Sequence, residues 1–319
     1  MVSGFVFHTG GILLGLAGLW YTGEKTVHYG LLLAKRAKIS AFSVGFIFIA
    51  IITGIPELVI SLISLQNEVP QTSVGDLIGS NFVDTTIVIG TTTLITGALL
   101  FTKKESRSLL HMLFLVALSM IGIFLLPGIT QVSGALLIGV YLVIMLYLWY
   151  MRAPLAVEEE EDSQEKKESF SWIIVKLVGF SLLLAFAAEI AVSSAKGLAE
   201  MHNWPDEFLG KTVFALFTSI PEFVISYHAA KQKEFGLLMG NAMGAVLQQG
   251  LFTLGLLALL SRVPLTLTPV LDVLGFMMVG FGLIGISLYF FNKVTRTMGA
   301  SMVGLGVLFM AHEVYTLFC

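Results

Sequence analysis

The chain has 319 residues, 56% hydrophobic and 12% charged, with a net charge of −3 and a mean hydropathy of +0.89. Soluble domains carry about 25% charged residues, so this composition excludes a soluble enzyme and gives no footing for a nucleic-acid partner. The single cysteine, Cys319, excludes an internal disulfide framework.

Ten stretches of membrane-span length follow one another, at residues 9–33, 40–66, 73–100, 108–126, 131–151, 170–200, 209–230, 236–261, 267–291 and 297–318. The first lacks a basic leader and a small-residue cleavage site, and reads as span 1 rather than a signal peptide. The expected fold is an all-α membrane protein of ten transmembrane helices. Between spans 5 and 6 the run from Glu158 to Glu168 is strongly acidic and reads as a solvated linker. The division is therefore 1–152, a linker at 153–169, and 170–319.

Basic residues sort by loop. The connections after odd-numbered spans hold Lys35, Arg36, Lys38, Lys103, Lys104, Arg107, Arg152, Lys166, Lys167, Lys231, Lys233, Lys293 and Arg296, against Lys211 and Arg262 on the other side. The positive-inside rule then places the linker in the cytoplasm and both termini outside, in a multi-pass cell-membrane protein.

Offset by 165 residues, the chain matches itself without a gap. Glu24 meets Glu189, Gly45 meets Gly210, and Pro56-Glu57 meets Pro221-Glu222. Gly75 and Gly79 meet Gly240 and Gly244. The two copies begin with spans 1 and 6, an odd number of spans apart, so they are inverted five-helix repeats.

Each copy carries polar stripes. Thr53, Glu57 and Ser61 stand four apart on one face of span 2, and Thr218, Glu222 and Ser226 repeat them in span 7. Asp76, Ser80 and Asp84 form a second stripe in span 3, matched by Asn241, Ala245 and Gln249 in span 8. A carboxylate at mid-membrane costs at least about 2.5–3.5 kcal/mol unless protein, water or an ion satisfies it. Pro56 and Pro221 each remove a helical hydrogen bond, freeing the carbonyls of Ile52 and Phe217 beside the acids. Acids, amides and freed carbonyls together form an oxygen-rich set. Such a set suits calcium, which takes about 6–8 oxygens, and also sodium; nothing resembles a zinc or copper site. The small-xxx-small glycine pairs of spans 3 and 8 predict close packing of spans 2, 3, 7 and 8.

These residues resemble the cation/calcium exchanger superfamily, whose best-known branch is the sodium/calcium exchangers. Its paired motifs, Gly-Thr-Ser-x-Pro-Glu and Gly-Ser-Asn-x-x-Asn/Asp, correspond to Ile52-Thr53-Gly54-Ile55-Pro56-Glu57 and Gly79-Ser80-Asn81-Phe82-Val83-Asp84. In the second copy they correspond to Phe217-Thr218-Ser219-Ile220-Pro221-Glu222 and Gly244-Ala245-Val246-Leu247-Gln248-Gln249. The resemblance implies a secondary-active antiporter, neither an enzyme nor cofactor-dependent, exchanging Ca2+ for Na+ or H+, with the lipid bilayer as its setting and no protein partner implied. It implies a central divalent site of Glu57, Glu222, Asp84 and Gln249, with carbonyls of Thr53 and Thr218. It also implies flanking sodium sites, one at Ser80 and Ala50 and one at Ser219 and Ala215. On that division Gly54 and Ala245, which replace motif serines, cost each flank one hydroxyl. Asp76 reads equally as a member of the ligand network or a gate. Alternating access in the family comes from spans 1 and 6 sliding past the other eight.

Other readings are a proton-coupled or different divalent-cation exchanger, or a passive channel or cation sensor. Glu24 and Glu189 read as ion-access or pairing residues rather than ligands. His228 reads as structural, and Asp272 and Glu313 as interfacial.

Overall fold

The computed structural model describes residues 2–126, 128–151, 168–200, 208–261 and 264–318. Most of the acidic linker, Arg262 and Cys319 lie outside the described residues.

Among the described residues, 9 helical segments are long and apolar enough to cross a membrane. They correspond to every expected span except the third. Residues 70–96 are nevertheless helical throughout, as Pro70–Val83, Asp84–Val88 and Ile89–Thr96. Their buried Asp76, Ser80, Asn81, Asp84, Thr85, Thr86, Thr92 and Thr93 lower the apolarity that marks the other spans. The span ends at Gly97, whose φ of 101° suits a residue without a side chain. Span 4 begins earlier than the hydropathy indicates, at Lys103, because Thr102 and Glu105 form a reciprocal capping box.

The repeat is visible in the backbone. Span 2 breaks at Gly54, between Ala50–Thr53 and Ile55–Gln66. Span 7 breaks at the equivalent Ser219, between Ala215–Thr218 and Ile220–Lys231. In both, the proline stands in the first turn of the new helix, where its missing N–H costs nothing. Wider π-helical turns also recur in pairs, at Val44–Ile49 and Leu209–Phe214, and at Asp84–Val88 and Gln248–Thr253. Such turns concentrate at functional sites.

Glycine seams lock the centre. A Cβ on Gly79 would lie 2.8 Å from Lys211 O and 2.9 Å from the Ala215 Cβ. One on Gly244 would lie 2.6 Å from Phe46 O and 2.8 Å from the Ala50 Cβ. Lys211 and Ala215 are the repeat mates of Phe46 and Ala50, so the two contacts are images of each other. Span 3 of one repeat therefore packs on span 7 of the other, and span 8 on span 2.

Spans 1 and 6, helices Val2–Ala37 and Phe170–Glu200, lie side by side, with Gly15 and Gly18 of span 1 tight against Ala187 of span 6. A short antiparallel ribbon pairs Leu99 with Val294 and Leu100 with Lys293. The bridge between Ile129 and Leu265 repeats this link at related positions. These are the small departures from an all-helical chain.

Candidate cation site

The broken helices of spans 2 and 7 aim their acids into the interior. Glu57 and Glu222 are fully buried, as are Asp76, Asp84, Asn241 and Gln249. Gln249 Nε2 donates to Glu57 Oε1 at 3.1 Å and to Asp84 Oδ2 at 3.4 Å, tying spans 2, 3 and 8 at one point. Glu222 stands among the same acids: its charge acts on Glu57, Asp76 and Asp84. No hydrogen bond of standard geometry reaches either oxygen of Glu222, or Glu57 Oε2, Asp84 Oδ1, Asp76 Oδ2 and Gln249 Oε1, although the hydroxyls of Thr53 and Ser219 act on Glu222 and Asp84 from nearby. Buried polar atoms in proteins are nearly always satisfied. A convergent set of carboxylate and amide oxygens without such bonds is chemically a receptor for a hard cation.

Two flanks extend from this centre. On one, Thr218 Oγ1 donates to Asp76 Oδ1 at 3.1 Å and lies 3.0 Å from Ser80 Oγ. Ser80 Oγ also donates to the Asp76 carbonyl at 2.7 Å. On the other, Thr53 Oγ1 meets the mate of Asp76, Asn241 Oδ1, at 3.5 Å. The two arrangements are repeat images that differ in charge.

Ser80 sits with Thr218, and its neighbour Gly79 with Ala215, so the expected grouping of Ser80 with Ala50 does not hold. Ala50 instead faces Gly244. Because the repeats interleave, Ser80 and Ser219 share one flank, while both departures, Gly54 and Ala245, fall on the other. The Gln248 side chain fills that gap: a Cβ on Gly54 would meet Gln248 Oε1 at 2.2 Å. Gln248 Nε2 is held by Thr253 Oγ1 at 2.9 Å, and its Oε1 has no partner. Its mate in the first repeat is Val83, so the glutamine is a polar addition that the motif comparison passes over.

Two further expectations change. Lys211 is a buried residue of span 7 rather than a loop residue, and its Nζ lies 2.7 Å from Glu313 Oε2 and 3.8 Å from Asp272 Oδ2. Glu313 is 1% exposed and is paired with the lysine of another span rather than turned to the surroundings. His228 is packed among aromatic rings, 4.9 Å from Trp20, in keeping with a structural place.

Comparison with known proteins follows the same division. The family model for the sodium/calcium exchanger protein matches residues 7–150 and again 172–315, and the two matches start 165 residues apart. The chain belongs to the sodium/calcium exchanger family and is accordingly a multi-pass membrane transporter, not an enzyme. It is 28% identical over 240 residues to the uncharacterized membrane protein MJ0091 of Methanocaldococcus jannaschii, covering 75% of this chain and 78% of that one. It is 25% identical over 282 residues to the sodium/calcium exchanger MaX1 of Methanosarcina acetivorans, covering 77% and 81%. Its fold is similar to that of the sodium-calcium exchanger NCX_Mj soaked with 10 mM Na+ and zero Ca2+, with a TM-score of 0.78 at 23% identity over 96% of this chain and 99% of that one.

Proposed function

We propose that the protein is a secondary-active antiporter that carries Ca2+ one way and a second cation the other, through the cluster of Glu57, Asp84, Glu222 and Gln249. The observation that carries this reading is the convergence of buried carboxylate oxygens without hydrogen bonds of standard geometry, contributed by both repeats. The two repeats, 1–152 and 170–319, each supply one Pro-Glu acid, and the linker at 153–169 joins them. Carbonyls at Thr53 and Thr218 complete the oxygen set beside the helix breaks.

Exchange follows from electrostatics. Clustered carboxylates in a low-dielectric interior repel one another strongly, so the site changes sides only when cations neutralise it. Calcium and the counter-cation then compete for one set of ligands and move in turn. The counter-ion is Na+ or H+. The flank with Asp76, Ser80, Thr218, Ser219 and Ala215 retains a carboxylate and hydroxyls for a monovalent cation. The flank with Ala50, Gly54, Asn241 and Ala245 has lost its serines and holds Gln248, which favours fewer sodium ions per cycle.

The linker faces the cytoplasm and both termini the outside in this reading. The inward turn of Lys211 leaves even less positive charge on the outer loops. The test is calcium uptake into proteoliposomes under an imposed sodium gradient and, separately, an imposed pH gradient. Uptake driven by either gradient identifies the counter-ion. Uptake that needs no counter-gradient identifies a channel, and binding without flux identifies a sensor.

A further inference from the structure

Glu189 takes no part in the cluster described above, yet it lines a cavity of about 200 Å³ between spans 2, 3, 6 and 7. The walls include Ile60, Ile63, Asn67, Thr72 and Phe214, together with Lys196, whose charge acts on Glu189. Thr72 stands four residues from Asp76, Ile60 three from Glu57, and Phe214 four from Thr218. The floor of the cavity is thus one helical turn, about 5–6 Å, from the buried cluster. Glu189 Oε2 is buried and has no hydrogen-bond partner. In the proposed orientation the cavity opens outward, because Asn67 follows the outer end of span 2.

The repeat mates of part of this wall are packed shut: Ile60 and Ile63 correspond to Ile225 and His228, both buried, while Asn67 corresponds to the exposed Gln232. The mate of Glu189 is Glu24, on span 1, whose charge acts on His228 at that closed side. Each repeat therefore carries one carboxylate at the same position of its first helix.

We propose that Glu189 is the cation-recruiting residue of the open mouth, and that Glu24 does the same at the opposite mouth when that side opens. The inference rests on the antiport reading above. A carboxylate inside a low-dielectric funnel concentrates cations ahead of the binding step, here against the opposing charge of Lys196 on the same wall. Its placement on the helix that closes the mouth removes it from the path after loading. The two acids are positioning residues and do not belong to the ligand set.

The experiment is sided calcium exchange in oriented proteoliposomes, with calcium titrated from each face in turn. Glu189→Gln is expected to raise half-saturating calcium about 3–10-fold at the cavity face and much less at the other. Glu24→Gln is expected to show the reverse. The Glu189 effect is expected to shrink as ionic strength rises, since screening weakens attraction at a distance. Glu189→Asp, which keeps the charge, is expected to stay near wild type, and this separates recruitment from a folding defect. Equal effects at both faces, no dependence on salt, or no change at all would overturn the assignment. Absence of exchange in the wild-type chain would instead overturn the antiport reading itself.

Discussion

Gln249, from the second repeat, donates its amide Nε2 to Glu57 Oε1 of the first at 3.1 Å. The same nitrogen reaches Asp84 Oδ2, its own repeat mate, at 3.4 Å. A neutral amide thus stands where a strict repeat would place a fourth carboxylate, and it holds two acids together.

Replacing that amide by an acid alters the charge balance. Gln249→Glu is expected to lower the calcium dissociation constant about 3–10-fold, because affinity at oxygen sites follows the ligand charge. It is also expected to slow exchange, since the emptied site carries one more charge to neutralise. Calorimetric titration in detergent measures the first effect and isotope exchange the second. An unchanged dissociation constant would place Gln249 outside the ligand set.

The glycine seams give a stability prediction with an internal control. Gly244→Ala puts a Cβ within 2.6 Å of the Phe46 carbonyl and 2.8 Å of the Ala50 Cβ. Overpacking of this kind costs about 1–3 kcal/mol, read as a lower Tm in detergent. Gly275→Ala, where nothing lies within 4 Å, is expected to leave Tm unchanged.

Much of this was legible in the chain, and the physical reasons differ by feature. Apolar runs of span length reveal all ten spans, although the polar residues of 70–96 leave the third less apolar than the other nine. The Pro-Glu pairs mark the helix breaks because proline acts locally. The π-helical turns at Val44–Ile49 and Leu209–Phe214 leave no trace, since they displace the backbone without changing the apolar pattern. Partners across the repeats are equally hidden: nothing local in the chain joins Ser80 to Thr218 or Lys211 to Glu313. For the same reason, matching motifs alone divided the two serine losses between flanks that interleaving places together.

The ion pair between Lys211 and Glu313 is predicted to hold span 7 against span 10. Lys211→Met leaves a buried carboxylate without its cation, a loss of about 3–5 kcal/mol. Adding Glu313→Gln is expected to recover most of it, because the uncompensated charge is then gone. Thermal unfolding of the single and double variants forms the cycle, and additive losses would show that the pair is uncoupled.

The Gln248 substitution offers a test of the asymmetric flanks. Gly54→Ser alone is expected to push the Gln248 amide aside, as its Cβ would meet Gln248 Oε1. Gly54→Ser with Gln248→Val removes the obstruction and returns a hydroxyl to that flank. The double variant is expected to show a steeper dependence of calcium flux on sodium than the wild type. An identical sodium dependence would mean that this flank binds no monovalent cation in either form.

The most direct measurement is uptake of isotope-labelled calcium into proteoliposomes by the wild type, Glu57→Gln and Glu222→Gln, with folding checked by Tm. Each carboxylate supplies charge that no neighbour replaces, so both variants are expected to lose at least about tenfold in flux while remaining folded. Calcium flux at the wild-type rate in both variants would contradict the account.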